Sequence, residues 1–239
     1  TLNLLICGFG NEKSTINAKR NESHPGRVIN ISTFANVTLK NLIITGGYTS
    51  EINGGGIVCE GNLTLDNCEV SNNSAKYGGG VYVSGGTFTM TGGKISINTS
   101  SSNGEGGGVY VEGGTFTMEN DALISENTSC GNGGGVFAKG GIITINGGSI
   151  SENIFSNENY GGGGIYLTGN AQLTMTGGKI SNNYPEGRDL SNDTFGGGVY
   201  VSGGTFTMAG GEISNNYGFY GGGDATLGSF SMPGGTISG

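Results

Sequence analysis

Proline is nearly absent from this chain, with 3 in 239 residues. That removes a collagen triple helix, which needs abundant proline as well as glycine at every third position. Basic residues are scarce too: 10 Lys and Arg stand against 18 Asp and Glu, a formal charge of −8. A nucleic acid or anionic membrane partner would demand the opposite balance. One histidine, His24, and four cysteines, Cys7, Cys59, Cys68 and Cys130, show no CxxC or metal-ligand spacing, so zinc has no ligand set. No stretch reaches the ~18 apolar residues of a membrane-spanning helix, and the opening TLNLLICGFG lacks the basic segment of a secretory leader.

Glycine is what the chain has in excess, 53 residues, against 33% apolar and only 12% charged residues. Apolar residues at fixed offsets exclude a disordered tract. The phrase GGGVYVSGGTFTMTGGKIS, from Gly78 to Ser96, returns from Gly196 to Ser214 as GGGVYVSGGTFTMAGGEIS. Taking the last glycine of each triple as a mark gives Gly56, Gly80, Gly108, Gly135, Gly164, Gly198 and Gly223, spaced by 24 to 34 residues. This is a solenoid period with loops of variable length.

Inside each period the apolar residues alternate, as in Val81-Tyr82-Val83, Thr87-Phe88-Thr89-Met90 and Lys94-Ile95-Ser96, each segment set off by glycines. Period two means strands. Three short strands per period predict a three-sided parallel β-helix of about eight coils, one per GGG-[VI] repeat, and ~40 Å long at ~4.8 Å per coil. The chain reads as one domain over 1–239, with irregular coils over 1–47 and glycine-rich repeats over 48–239. Leu4 to Ile6 and Thr15 to Ala18 supply a partial first turn.

Columns down the repeats test the stacking. Val37, Leu63, Phe88, Phe116, Ile143, Leu173, Phe206 and Phe230 form one apolar column, and Leu39, Leu65, Met90, Met118, Ile145, Met175, Met208 and Met232 form another. Between them lie Thr38, Thr64, Thr89, Thr117, Thr144, Thr174, Thr207 and Ser231, which must face outward. The third strand adds Ile44, Val70, Ile95, Ile124, Ile150, Ile180 and Ile213. Three residues further on, Asn73, Asn98, Asn127, Asn153, Asn183 and Asn216 read as an asparagine ladder in left-handed corner positions. Cys59 and Cys68 fall where other repeats carry small or apolar residues and read as buried side chains; a disulfide between them stays open.

The combination of GGG-[VI] with I-S-x-N, as in Ile95-Ser96-Ile97-Asn98, resembles the GGA-[IVL] and FxxN repeats of polymorphic outer-membrane proteins. The stretch RVINISTFANVTLKNLIITGG, Arg27 to Gly47, is similar to opening coils of pectin-lyase-like bacterial surface proteins. The resemblance implies a right-handed β-helix of a cell-surface or secreted protein, an autotransporter-passenger-like adhesin or spacer whose partner is a host glycan or a surface protein. It departs from the family in its third glycine and in Ile, Val or Leu where FxxN has Phe.

Catalytic clusters are not visible. Glu60, Asp66, Glu112 and Glu119 are scattered along the strands, so no catalytic residue and no cofactor are expected. A pectate-lyase-like enzyme is the alternative. The longest repeat carries SNNYPEGRDLSNDTF, in which Glu186, Asp189 and Asp193 are candidate calcium ligands beside the plainer reading of a polar loop. The column Tyr82, Tyr110, Phe137, Tyr166 and Tyr200 points outward if Val81 and Val83 point in, giving either self-stacking or an exposed aromatic ribbon for a ligand. T-x-T segments such as Thr87-Phe88-Thr89 resemble ice-binding solenoids, although Asn36, Asn62, Ile142, Gln172 and Ser229 interrupt the first row. His24 reads as a solvated surface residue. Asp224, in an otherwise Val and Ile column, and Pro233 are residues that blunt a strand edge. The start without Met and the finish inside the repeating phrase fit a piece of a longer chain.

Overall fold

Phe88 pairs with Phe116 in parallel register and its ring lies 5.0 Å from its partner's, centroid to centroid. This in-register stacking is the organising fact of the computed structural model, which describes residues 2–10, 12–156, 161–186, 196–218 and 221–239. Each strand hydrogen-bonds to the equivalent strand of the turns before and after it, and every strand ladder is parallel. The result is an all-β solenoid of about seven turns.

Three long sheets wrap the axis. The threonine face has nine strands, from Leu2–Cys7 through Thr87–Met90 to Ser229–Ser231. The valine face has eight, from Ile29–Ile31 through Val81–Val83 to Asp224–Thr226. The isoleucine face has nine, from Ser14–Asn17 through Gly93–Ser96 to Thr236–Ser238. The first residues do build a turn: Leu2–Cys7 pairs with Ala35–Lys40, and Ser14–Asn17 with Leu42–Thr45.

A fourth sheet of five short strands lies outside the expected triangle, comprising Ser74–Tyr77, Thr99–Glu105, Thr128–Ser129, Ile154–Phe155 and Tyr184–Pro185. It follows the asparagine of each repeat. No shared residue pattern marks it, which is why alternation missed it.

The interior columns are dry through the central turns, whereas in the last turn Phe230 is half-buried and Met232 is exposed. Phe88, Met90, Ile95, Val81 and Val83 are fully buried, as are their equivalents in the central turns, and they form one continuous apolar cluster. Each such side chain contributes ~1.5–3 kcal/mol by leaving water. The threonine column faces out and is half-buried from Thr38 to Thr207, while Ser231 is exposed. Cys59 and Cys68 are buried and free, so no disulfide joins them. Burial pushes the Cys59 thiol up to about 12.

The asparagine ladder forms, with one correction. Asn73 Nδ2 donates to Asn98 Oδ1 at 3.0 Å, and the same bond links Asn98 to Asn127, Asn127 to Asn153, Asn153 to Asn183 and Asn183 to Asn216 at 2.9–3.0 Å. Each ladder Oδ1 also accepts the backbone N–H of the preceding ladder residue at 3.0–3.1 Å. The left-handed conformation, however, belongs to the residue before each of them: Asn72, Ile97, Glu126, Glu152, Asn182 and Asn215, with φ of 55° to 59°. The turn is made one residue early. That rotates the ladder side chain inward, where its amide meets backbone groups instead of water.

The third glycine of each triple faces this ladder. A Cβ on Gly108 would sit 2.6 Å from the Gly135 carbonyl oxygen and 2.9 Å from Asn127 Nδ2. The same two neighbours, in register, crowd Gly56, Gly80, Gly135, Gly164 and Gly198. An alanine there would collide with the next turn and with the amide that ties the turns together, hence glycine at this position in every repeat that carries the ladder.

Candidate functional site

The aromatic column is not an exposed ribbon. Tyr82, Tyr110, Phe137, Tyr166 and Tyr200 face away from the main interior, as the alternation requires, but are only 1–8% exposed. They make a second apolar cluster with Val58, and Tyr77 packs against it. Their rings lie 5.0–5.3 Å apart from one turn to the next, stacked from Tyr82 to Tyr166 and edge-on between Tyr166 and Tyr200. Such a pair contributes ~0.5–1.5 kcal/mol beyond burial. The physical reason for the burial is the glycine triple: its first residue adopts a positive φ and folds the incoming chain back onto the strand. A Cβ on Gly106, Gly133 or Gly196 would lie 2.8–3.0 Å from the Cβ of Tyr110, Phe137 or Tyr200.

What remains open is a groove along the column. One lobe, of about 410 Å³, is lined by Asn53, Tyr77, Tyr82, Glu105, Tyr110, Glu112, Phe137, Lys139, Thr168 and Gly169. A second, of about 360 Å³, adjoins it through Asn53 and Tyr82 and adds Arg27, Glu51, Glu60 and Ser84 among its walls. One wall is made by the position that follows each valine-face strand: Glu60, Ser84, Glu112, Lys139 and Thr168 stand one per turn. The other is made by the segment that precedes each glycine triple, carrying Asn53, Tyr77 and Glu105. The groove therefore runs with the solenoid axis across five successive turns, ~20 Å at the rise of a parallel sheet.

Its electrostatics are set by burial among acids. The Tyr82 hydroxyl donates to Glu112 Oε2. Lys139 Nζ stands 3.8 Å from Glu112 Oε1, an exposed and weak pair. Burial pushes the Glu105 carboxyl up from its ordinary value, against the opposing pull of Asn132 and Lys139. Burial, reinforced by Glu105 and Glu112, raises the Tyr110 hydroxyl well above its ordinary value, and burial with Glu112 does the same to Tyr82.

Sequence reasoning found the aromatic column and treated Glu60 and Glu112 as scattered. It missed Asn53, Tyr77, Glu105 and Lys139: the first three each stand directly before the first glycine of a triple, a position whose residue type changes from turn to turn and so shows no pattern. The signal that was available is the post-strand position itself, which holds a polar residue in five consecutive turns.

Of the candidate calcium ligands, Asp189 and Asp193 lie outside the described residues. Glu186 is exposed, and its Oε2 accepts a hydrogen bond from Ser156 Oγ. Among the described residues no group of three or more His, Cys, Asp or Glu is placed to hold a metal ion. His24 is exposed in a turn where its N–H donates to Asn21 Oδ1. No helix among the described residues is long and apolar enough to cross a membrane.

Comparison with protein-family models, curated proteins and solved structures finds no match.

Proposed function

We propose that the solenoid is a non-enzymatic binding rod of a cell-surface or secreted protein, right-handed and of the pectin-lyase-like, autotransporter-passenger kind, and that it takes an extended ligand in the axial groove. The observation that supports this reading is the groove's repetition: each of five turns contributes one polar side chain to a single wall, beside a column of stacked rings. A wall with one contact per turn suits a chain-like ligand lying parallel to the axis. Glu112, the central carboxylate, is already engaged by Tyr82 and Lys139, which favours a recognition role over acid or base chemistry.

The test is an NMR titration of tyrosine ring resonances with linear glycans and peptides, run beside an assay for released reducing or unsaturated sugar from the same glycans. Saturable shifts at Tyr77, Tyr82 and Tyr110 without turnover support the proposal. Turnover of any polysaccharide would replace it with the enzymatic alternative, and rings that ignore every ligand would remove the groove from consideration.

A further inference from the structure

The groove has more acceptors than donors. Its two lobes carry four carboxylates, Glu51, Glu60, Glu105 and Glu112, against one guanidinium, Arg27, and one ammonium, Lys139. The hydroxyl proton of Tyr82 is committed to Glu112, so the oxygen is left to accept. Behind Glu105, Asn132 is 5% exposed and its Oδ1 has no hydrogen-bond partner. The ring faces from Tyr82 to Tyr166 are covered by one another, so a neutral sugar finds no free aromatic plane in that column on which to stack. Tyr77 is different. It is half-buried, and Lys76 Nζ lies 5.5 Å from its ring centroid, so this ring already attracts a cation from its own chain.

From these features we infer that the larger lobe is a receptor for an alkylammonium group, held between Glu105 and Glu112 beside Tyr77 and Tyr82. The inference rests on the proposed groove reading and specifies its ligand chemistry. An ammonium brings three donors and no acceptors, which matches a lining of two carboxylates and phenolic oxygens. Lys139, 61% exposed and 3.8 Å from Glu112, is the resident cation that the ligand would displace. An anionic polymer would meet the carboxylates unpaired, so acidic polysaccharide is disfavoured.

The experiment uses the whole chain and 1,5-diaminopentane as probe, followed by tyrosine resonances and by calorimetry at two salt concentrations. Nα-acetyl-lysine amide is run in parallel, so that a free diamine and a lysine side chain are told apart as sources of the same group. Saturable binding that weakens with salt is expected. Glu112→Gln and Glu105→Gln should each weaken it at least about tenfold, the loss of one charge-assisted hydrogen bond. Lys139→Ala should strengthen it several-fold, an effect that a merely structural role for Lys139 does not produce. Glu119→Gln, on the threonine face, should leave it unchanged. Circular dichroism checks each variant, and should Glu105→Gln misfold, the Glu112 and Lys139 variants carry the test independently. If neutral or acidic oligosaccharides shift the rings and the amines do not, the cation inference falls while the groove reading stands. If neither class shifts them, both fall.

Discussion

Replacing Asn127 by alanine tests the principle on which the whole rod depends. Asn127 is fully buried and its side chain makes four hydrogen bonds. Nδ2 donates to the Ile95 carbonyl and to Asn153 Oδ1, both at 3.0 Å, and Oδ1 accepts from Asn98 N and Asn98 Nδ2, also at 3.0 Å. Two of the four partners keep a second bond: Asn98 Nδ2 still reaches the Val70 carbonyl at 2.8 Å, and Asn153 Oδ1 still accepts the Asn127 N–H at 3.1 Å. The Asn98 N–H loses its side-chain acceptor in a dry interior, at ~1–3 kcal/mol, and the other lost bonds add ~1 kcal/mol each. A total of about 4–6 kcal/mol follows, with little relief from water because the site is closed. Solenoids unfold by neighbouring repeats, so urea melts should be paired with amide exchange. Exchange at Asn98 should accelerate far more than exchange on the threonine face of the same turn. Asn127→Asp sharpens the sign. The acid keeps both acceptor sites but, when ionised, meets the Ile95 carbonyl and Asn153 Oδ1 with no proton to give. Its folded pKa would be raised above the unfolded value of ~3.9. The variant would then be least stable at neutral pH and would recover as pH falls through the raised pKa. A cost below about 1 kcal/mol for Asn127→Ala, or an aspartate variant indifferent to pH, would refute the ladder as a structural element.

Ile97 is β-branched, exposed and held at φ 56°, where its counterparts are Asn or Glu, so Ile97→Asn should stabilise by about 1 kcal/mol and raise Tm by ~2–4 °C in a thermal melt. Gly108→Ala should destabilise by ~1–3 kcal/mol in urea, since its Cβ would stand 2.6 Å from the Gly135 carbonyl oxygen, whereas Gly10→Ala, in open space, should show only the milder strain of its positive φ. Asp224 sits in the Val and Ile column with Oδ1 buried and unpartnered, and burial raises its pKa. Its folded form therefore prefers the proton, so its destabilising effect is full above the folded pKa and fades as pH falls towards the unfolded value. Asp224→Val should be more stable than the parent at pH 7, and the difference should shrink in melts at lower pH.

The columns were legible because a strand places alternate residues on opposite faces and because parallel in-register stacking repeats one choice many times. Phe88 above Phe116, Thr89 outside and Met90 inside all follow from that single rule. The same rule turned the tyrosines away from the core but could not say what would cover them. Cover depends on the path of the chain after the strand, and that path is set by the positive φ of the first glycine and by a fourth sheet without consensus residues. The groove was illegible for the same reason. Asn53, Tyr77 and Glu105 share one position, directly before the first glycine of a triple, but no common residue type marks it, and only the fold brings it opposite the position that follows each valine-face strand.

The ladder and the glycine triple explain each other. An asparagine amide can bridge successive turns only if the backbone opposite approaches closely, and the approach is closest at the third glycine, where even a methyl group would stand 2.7–3.0 Å from the ladder Nδ2 across six repeats. The amide in turn supplies acceptors and donors to backbone groups that such a tight corner would otherwise bury unpaired. Neither half of the phrase is stable without the other: asparagine beside alanine would be pushed off its partners, and glycine without asparagine would leave the preceding ladder N–H unsatisfied. GGG and I-S-x-N thus recur together because they are two sides of one contact, third glycine to asparagine, 17 to 19 residues apart in each repeat. Segments outside that contact, including those that wall the groove, are free to differ in length and charge from turn to turn.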